Sequence, residues 1–154
     1  MSNRKRVLFL CAENSCRSQI AEGFLRSVAP DKFDVFSAGS KATILNVNAV
    51  TVMAEIGIDI SYHRSESVDE YKDQSFDCVI TVCGGEEDGS CPVFLGRAEK
   101  RLHWPSDDPA KASGSEAEVL DVFRRIRDQI GEKVKSFVTG EASAISYEDD
   151  KEPS

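Results

Sequence analysis

The amino-acid sequence predicts an α/β fold with three layers, in which a four-stranded parallel sheet carries helices on both faces. Short runs of β-branched and aromatic residues alternate along the chain with longer segments whose apolar residues recur at helical spacing. With 154 residues, 40% of them hydrophobic, the chain has the size and composition of one domain with its own core. We expect that domain to span residues 1–140 and an acidic, mobile tail to follow over residues 141–154.

The first half of the chain contains two predicted strands and two predicted helices. Residues 6–10 form an apolar run typical of a buried strand. Apolar residues on one face predict a helix over residues 18–28. A short second strand is expected at residues 35–36, and a second helix over residues 46–56 ends before Gly57.

Predicted strands and helices also alternate in the second half of the chain. A third strand is predicted over residues 76–82, with Cys83 at its end, and a fourth over residues 100–104. A long amphipathic helix is predicted over residues 116–138. Ligands of such sheets collect at the carboxyl ends of the strands, so we expect Cys11, Cys83 and the turn at residues 107–109 to converge there.

Composition excludes several classes of protein. The net charge of −8 argues against nucleic-acid or anionic-membrane partners. No apolar run approaches the roughly 18 residues of a membrane span, and the one near the N-terminus is too short for a signal peptide. We therefore expect a cytoplasmic protein. A monomer is also expected, although the composition does not fix the oligomeric state. Five cysteines in a reducing compartment predict catalytic, redox or metal roles, or simple burial, rather than a disulfide framework.

The most informative segment joins the first strand to the first helix. It places Cys11 at the strand end and Arg17 six residues later, at the helix start. Backbone N–H groups and the positive end of the helix dipole can hold a tetrahedral anion and favour the thiolate form of Cys11. A guanidinium completes such a site by donating two parallel hydrogen bonds to the anion. The segment predicts nucleophilic chemistry on phosphate or a similar oxyanion, which would be bound by Ala12, Glu13, Asn14, Ser15, Cys16, Arg17 and Ser18.

Structural roles compete with chemical ones at several positions. Cys16 is expected to be a packed residue, Cys78 to lie in the core, and His63 to be a hydrogen-bonded structural histidine. Cys83 and Cys91 are an unconvincing zinc pair, because the chain has only two histidines and no Cys-x2-Cys motif. Taken alone, the turn at residues 107–109 could be an ordinary proline-stiffened loop.

Residues 11–23 resemble the phosphate-binding loop of the low-molecular-weight tyrosine phosphatases, and more closely that of the arsenate reductases that share their fold. The resemblance extends over residues 5–138. Further segments that favour the reductases are Ser37-Ala38-Gly39, Gly57-Ile58-Asp59-Ile60-Ser61 with His63, His103-Trp104 and Asp107-Asp108-Pro109-Ala110.

The resemblance implies a relay of three cysteines. Cys11 attacks arsenate, Cys83 attacks the adduct and releases arsenite, and Cys91 moves the disulfide outward to a thioredoxin or glutaredoxin-type reductant. Asp108 takes the position of the general acid, in preference to Asp107. Reducing arsenate takes two electrons, hence two thiols per turnover, and no cofactor is expected.

Two other functions remain open at this point. A low-molecular-weight phosphatase needs Cys11, Arg17 and Asp108 but not the other two cysteines. However, the turn is followed by Ala110 and Lys111, whose side chains would hold an aromatic substrate poorly. A non-enzymatic arsenite or zinc sensor would leave the Cys-x5-Arg loop unexplained.

The sequence departs from these relatives in three ways. Seven residues separate Cys83 from Cys91, one more than is usual, which costs little loop-closure entropy but leaves the reductant open. Some relatives bind potassium beside the loop; here Arg64 stands where a hydroxyl residue is usual, and its guanidinium could replace the cation and pair with Glu22. No metal is therefore expected. Glu13 lies within the anion loop, so its side chain is expected to point into solvent.

Overall fold

The predicted parallel sheet is confirmed. The structure, a computed structural model, describes residues 4–83 and 92–146. Its strands are all parallel and lie in the order β2-β1-β3-β4. They are β1 (Lys5–Cys11), β2 (Phe33–Gly39), β3 (Ser75–Thr81) and β4 (Arg97–His103); the helices are α1 (Arg17–Val28), α2 (Val47–Glu55) and α3 (Glu116–Ser146), with short 3-10 helices at Val68–Tyr71 and Pro109–Lys111.

Side-chain alternation along β1 divides the interior into two cores. Val7 and Phe9 face the larger core, to which all three α-helices contribute. Leu8 and Leu10 face a smaller core on the other side of the sheet. Within the described residues that second face is covered by the 3-10 helix at Val68–Tyr71 and by irregular chain, rather than by an α-helix.

The strands are longer than local sequence indicates. β2 pairs with β1 over its full length, from Phe33 opposite Lys5 to Gly39 opposite Cys11, whereas the sequence predicted only residues 35–36. β4 begins at Arg97 and contains mostly exposed side chains, because it lies at the sheet edge. Hydrogen bonds to the neighbouring strand extend both segments beyond what their hydropathy predicts.

Helix α3 continues to Ser146 instead of ending at Val138, so residues 141–146 extend the helix into the predicted tail. Adding a turn to an existing helix needs no new nucleation, and alanines favour it. The mobility of the tail stays a prediction, since residues 147–154 lie outside the described range. α3 is long but amphipathic, and no helix among the described residues has the length and apolar character needed to cross a bilayer.

Two glycines of α3 lead to opposite predictions for the same substitution. In Gly131→Ala the new Cβ would lie 2.6 Å from Cζ of the buried Phe24, so the α1–α3 contact must shift. We expect a loss of about 1–3 kcal/mol of unfolding free energy. Gly140→Ala would meet nothing within 4 Å and should gain about 1 kcal/mol from helix propensity. Urea unfolding of both variants measures the difference; equal effects would contradict the packing described.

Candidate oxyanion site

The strand ends bring three predicted site segments to one edge of the sheet. Leu10 is opposite Thr81, and Thr81 is opposite His103, so β1, β3 and β4 end side by side. The pairing continues past the strands, where the Ser106 N–H donates to the Cys83 carbonyl over 3.3 Å. Cys11, Cys83 and residues 105–108 therefore leave the sheet at the same edge, as the sequence predicted.

The loop between β1 and α1 directs backbone N–H groups towards its own interior. Asn14 adopts a left-handed conformation with φ of 53°, which asparagine tolerates better than most residues. Cys16 is the N-cap of α1, and within the described residues its side chain makes no capping hydrogen bond. The N–H groups of the first helical turn thus point at the loop interior with the positive end of the helix dipole.

Contacts outside the loop fix the direction of its peptides. The carbonyls of Ala12 and Ser15 accept from backbone N–H groups of residues 40 and 46 over 2.8 and 3.0 Å. The Glu13 carbonyl accepts from the Thr43 hydroxyl over 3.0 Å. In a trans peptide the N–H points opposite to the carbonyl, so the following N–H groups face the loop interior. The Glu13 side chain is exposed, as expected.

Close approach of β2 requires a glycine beside this loop. A Cβ on Gly39 would lie 2.7 Å from the Asn14 nitrogen and 2.9 Å from the Ala12 oxygen. Both are backbone atoms and cannot move aside without changing the loop. Gly39 therefore allows β2 to support the loop directly.

Buried hydrogen bonds connect the loop to Cys11. Ser18 Oγ lies 2.9 Å from Cys11 Sγ and accepts from Asn14 Nδ2 over 2.8 Å. The Asn14 Oδ1 accepts from the Glu66 backbone N–H over 2.7 Å and from Gln19 Nε2 over 3.1 Å, which fixes the orientation of the amide. Because an ionised Cys11 can only accept, Ser18 then donates its single hydrogen to the sulfur.

The same network continues to a buried carboxylate. Ser37 accepts from Asn14 Nδ2 over 3.0 Å and donates to Glu22 Oε1 over 2.6 Å. The cation at Glu22 is Arg26, at 2.8 Å. Of the two arginines, Arg26, one helical turn along α1, rather than Arg64 pairs with this carboxylate. Arg64 instead supplies its backbone carbonyl to Gln19 Nε2 over 3.0 Å.

His63 is a structural histidine, as expected. Its Nδ1 lies 2.9 Å from Gln19 Oε1 and 3.7 Å from Glu22 Oε1. Burial lowers the pKa of His63, although Glu22 opposes that shift. The imidazole is thus held neutral beside the network and supports the orientation of Gln19.

Arg17 and Asp108 face each other across the site. Arg17 is 2% exposed, and its NH1 donates to the Ser106 carbonyl over 2.9 Å. Its NH2 lies 3.7 Å from Asp108 Oδ2. The other carboxylate oxygen of Asp108 accepts from the Ala110 N–H over 3.0 Å and caps the 3-10 helix that follows. Asp107 is exposed, so Asp108 is the aspartate that contacts the arginine.

The described cysteines occupy different chemical environments. Cys11, Cys16 and Cys78 are buried free thiols, and Cys78 lies in the core as expected. Cys83 is fully buried and disulfide-bonded, and its partner is none of these three thiols. Burial raises the pKa of Cys16 to about 12, so it is a neutral thiol at neutral pH. Cys91 lies outside the described residues.

Two interactions of the candidate site were not predicted from the sequence. The pairing of Glu22 with Arg26 has the i, i+4 spacing of a helical ion pair and was therefore detectable. The contact of Ser106 with Arg17 was not, because a backbone carbonyl makes it and leaves no signature in the residue type.

Fold and site together define a family. The model of the low molecular weight phosphotyrosine protein phosphatases matches residues 6–148, and the chain belongs to that family. A solved structure of a tyrosine phosphatase from Erwinia amylovora shares the fold, with a TM-score of 0.65 at 22% identity.

Within that family the chain groups with the arsenate reductases. It is 49% identical over 135 residues to one from Halalkalibacterium halodurans, covering 88% of this chain and 96% of the relative. It is 46% identical over 133 residues to one from Bacillus subtilis, covering 86% and 94%. Two solved arsenate reductase structures, in the phosphate binding and oxidized states, match with TM-scores of 0.75 and 0.74 and identities of 34% and 32%; each covers 88% of this chain and 98% of its own.

The two cysteines of the loop should behave oppositely when replaced. Cys11→Ser should abolish arsenate turnover, because a hydroxyl is far less ionised than a thiol in the same field. Cys16→Ala should keep turnover within a few fold, because the neutral Cys16 thiol is no nucleophile at neutral pH. Steady-state assays at saturating arsenate measure both. Appreciable turnover by Cys11→Ser would refute the nucleophile assignment.

Proposed function

We propose that this chain reduces arsenate to arsenite through Cys11, Cys83 and Cys91 and is regenerated by a dithiol reductant of the thioredoxin or glutaredoxin type. The observation that carries the proposal is the combination of an anion loop around Cys11 with a disulfide-bonded second cysteine at the same sheet edge. Phosphate-ester hydrolysis uses the first feature and leaves the second without a role.

The first step forms a covalent adduct. Loop N–H groups and the Arg17 guanidinium bind arsenate, and the Cys11 thiolate attacks arsenic. An arsenic–oxygen bond breaks, and Asp108 protonates the departing oxygen so that it leaves as water. The position of Asp108 Oδ2, 3.7 Å from Arg17 NH2, supports this assignment.

The second step transfers the electrons. The Cys83 thiolate attacks Cys11 Sγ, the sulfur–arsenic bond breaks, and its electron pair stays on arsenic, which leaves as arsenite. Cys11 and Cys83 are then joined by a disulfide. Two thiolates have supplied the two electrons, and no metal or cofactor is required.

The third step clears the oxyanion site. Cys91 attacks Cys83, which releases the Cys11 thiolate and leaves a Cys83–Cys91 disulfide for the external dithiol. A free Cys11 beside a disulfide-bonded Cys83 is the pattern expected of this last oxidised state. Since the cycle needs a reducing compartment, we place the protein in the cytoplasm.

A low-molecular-weight phosphatase activity is the second candidate. The pairing of Arg17 with Asp108 beside a cysteine loop favours it, because these groups suffice for a phosphoester. However, the Asp-Pro turn continues into exposed Ala110 and Lys111, which offer no aromatic wall.

A coupled assay tests the proposal directly. We expect arsenate-dependent NADPH oxidation when the protein is supplied with a thioredoxin system or, run in parallel, with a glutaredoxin and glutathione system. The more active of the two identifies the class of reductant. The absence of arsenate-dependent oxidation in both systems, with the protein hydrolysing phosphoesters, would favour the phosphatase.

Trapping experiments separate the second and third cysteines. Cys91→Ser should complete one turnover and stop as a Cys11–Cys83 disulfide, since arsenite has already left. Cys83→Ser should release little or no arsenite, because no thiol then attacks the adduct. Peptide mapping by mass spectrometry after one equivalent of arsenate identifies the bonds. A Cys11–Cys16 disulfide in the unmodified protein would refute the relay.

The choice between the two aspartates has its own test. Asp108→Asn should lower the rate of the first chemical step by about 10²–10⁴-fold, the usual contribution of a general acid. Oxyanion affinity should change little. Asp107→Asn is the matched control, because its side chain is exposed. Single-turnover kinetics measure both; a larger defect in Asp107→Asn would reverse the assignment.

A further inference from the structure

Ser106 carries a buried hydroxyl that the reaction steps above do not use. The residue is 8% exposed, and among the described residues its Oγ has no hydrogen-bond partner. Buried hydroxyls in folded proteins are nearly always paired, because an unpaired one loses its water without replacement. The hydroxyl is therefore expected to find its partner in another state of the protein.

The backbone of Ser106 is hydrogen-bonded to two parts of the candidate oxyanion site. Its carbonyl accepts from Arg17 NH1 over 2.9 Å, and its N–H donates to the Cys83 carbonyl over 3.3 Å. Two residues further on, Asp108 Oδ2 lies 3.7 Å from Arg17 NH2. Ser106 thus lies between the anion-binding arginine and the second cysteine.

We propose that the Ser106 hydroxyl is an additional oxyanion ligand, which donates a hydrogen bond to the tetrahedral anion bound by Arg17 and the loop. The hydroxyl lacks a partner in the ligand-free protein because the acceptor arrives with the ligand. The anchored carbonyl holds the residue against Arg17 in both states. This proposal rests on the oxyanion site of the proposed function, but not on the cysteine relay.

The proposal predicts opposite changes in stability and binding. Ser106→Ala removes an unpaired buried hydroxyl, so the ligand-free protein should unfold at the same temperature or a higher one. The same variant should bind inorganic phosphate about tenfold or more weakly, the usual effect of losing a hydrogen bond to a charged group. Ser106→Thr keeps the hydroxyl and should bind phosphate within about threefold of the unmodified protein.

Calorimetric titration with phosphate and thermal unfolding of the full chain measure both quantities. Ser136→Ala is the matched control, since Ser136 lines the same groove beside α3 as Ser106 but is exposed; neither quantity should change. Because phosphate is bound but not reduced, these measurements do not depend on the cysteine relay. They would test the role of Ser106 even if the proposed relay were wrong.

Three results would overturn the proposal. The first is phosphate affinity within twofold of normal in Ser106→Ala. The second is a lower unfolding temperature of that variant without ligand, which would indicate a structural role. The third is a loss of phosphate affinity in Lys133→Gln equal to that in Ser106→Ala. Lys133 lies in the groove of about 530 Å³ that Ser106 also lines, so this result would place the anion in that groove.

Discussion

A directional chain of hydrogen bonds organises the site. The Glu22 carboxylate can only accept, so it takes the Ser37 hydrogen over 2.6 Å. Ser37 and Ser18 then both accept from the Asn14 amide, over 3.0 and 2.8 Å. The Ser18 hydrogen is left for the Cys11 sulfur, 2.9 Å away. The carboxylate thus sets the direction of the Ser37 hydrogen bond. The Asn14 amide, which the Glu66 N–H and Gln19 hold in one orientation, sets the direction of the remaining bonds up to Cys11.

Burying that carboxylate in a protein of net charge −8 requires a local cation. Arg26 supplies it from within α1, and its NH2 also donates to the Val35 carbonyl over 2.8 Å. The negative charge of the buried Glu22 carboxylate is thus balanced by a cation from the same chain. A guanidinium tied to both helix and sheet also fixes α1 relative to β2, and with it the loop that α1 begins.

The sequence predicted most of the fold because the larger core follows local periodicity. The strand around residues 6–10 and the helix faces were visible from apolar spacing alone. The full lengths of β2 and β4 were not, since hydrogen bonds to neighbouring strands extend them. The end of α3 was misplaced because polar residues near the C-terminus suggested a tail, whereas helix propagation continues to Ser146.

By itself, the sequence determined the spacing of Cys11 and Arg17 around a strand-to-helix loop, because both positions follow from chain-local geometry. It also predicted that Cys83 would follow the end of a strand. Only the tertiary structure decided that Arg26 rather than Arg64 neutralises Glu22, and that the Ser106 backbone anchors Arg17. These contacts depend on where a guanidinium reaches and where a carbonyl points once the helices have packed on the sheet, and residue type alone encodes neither.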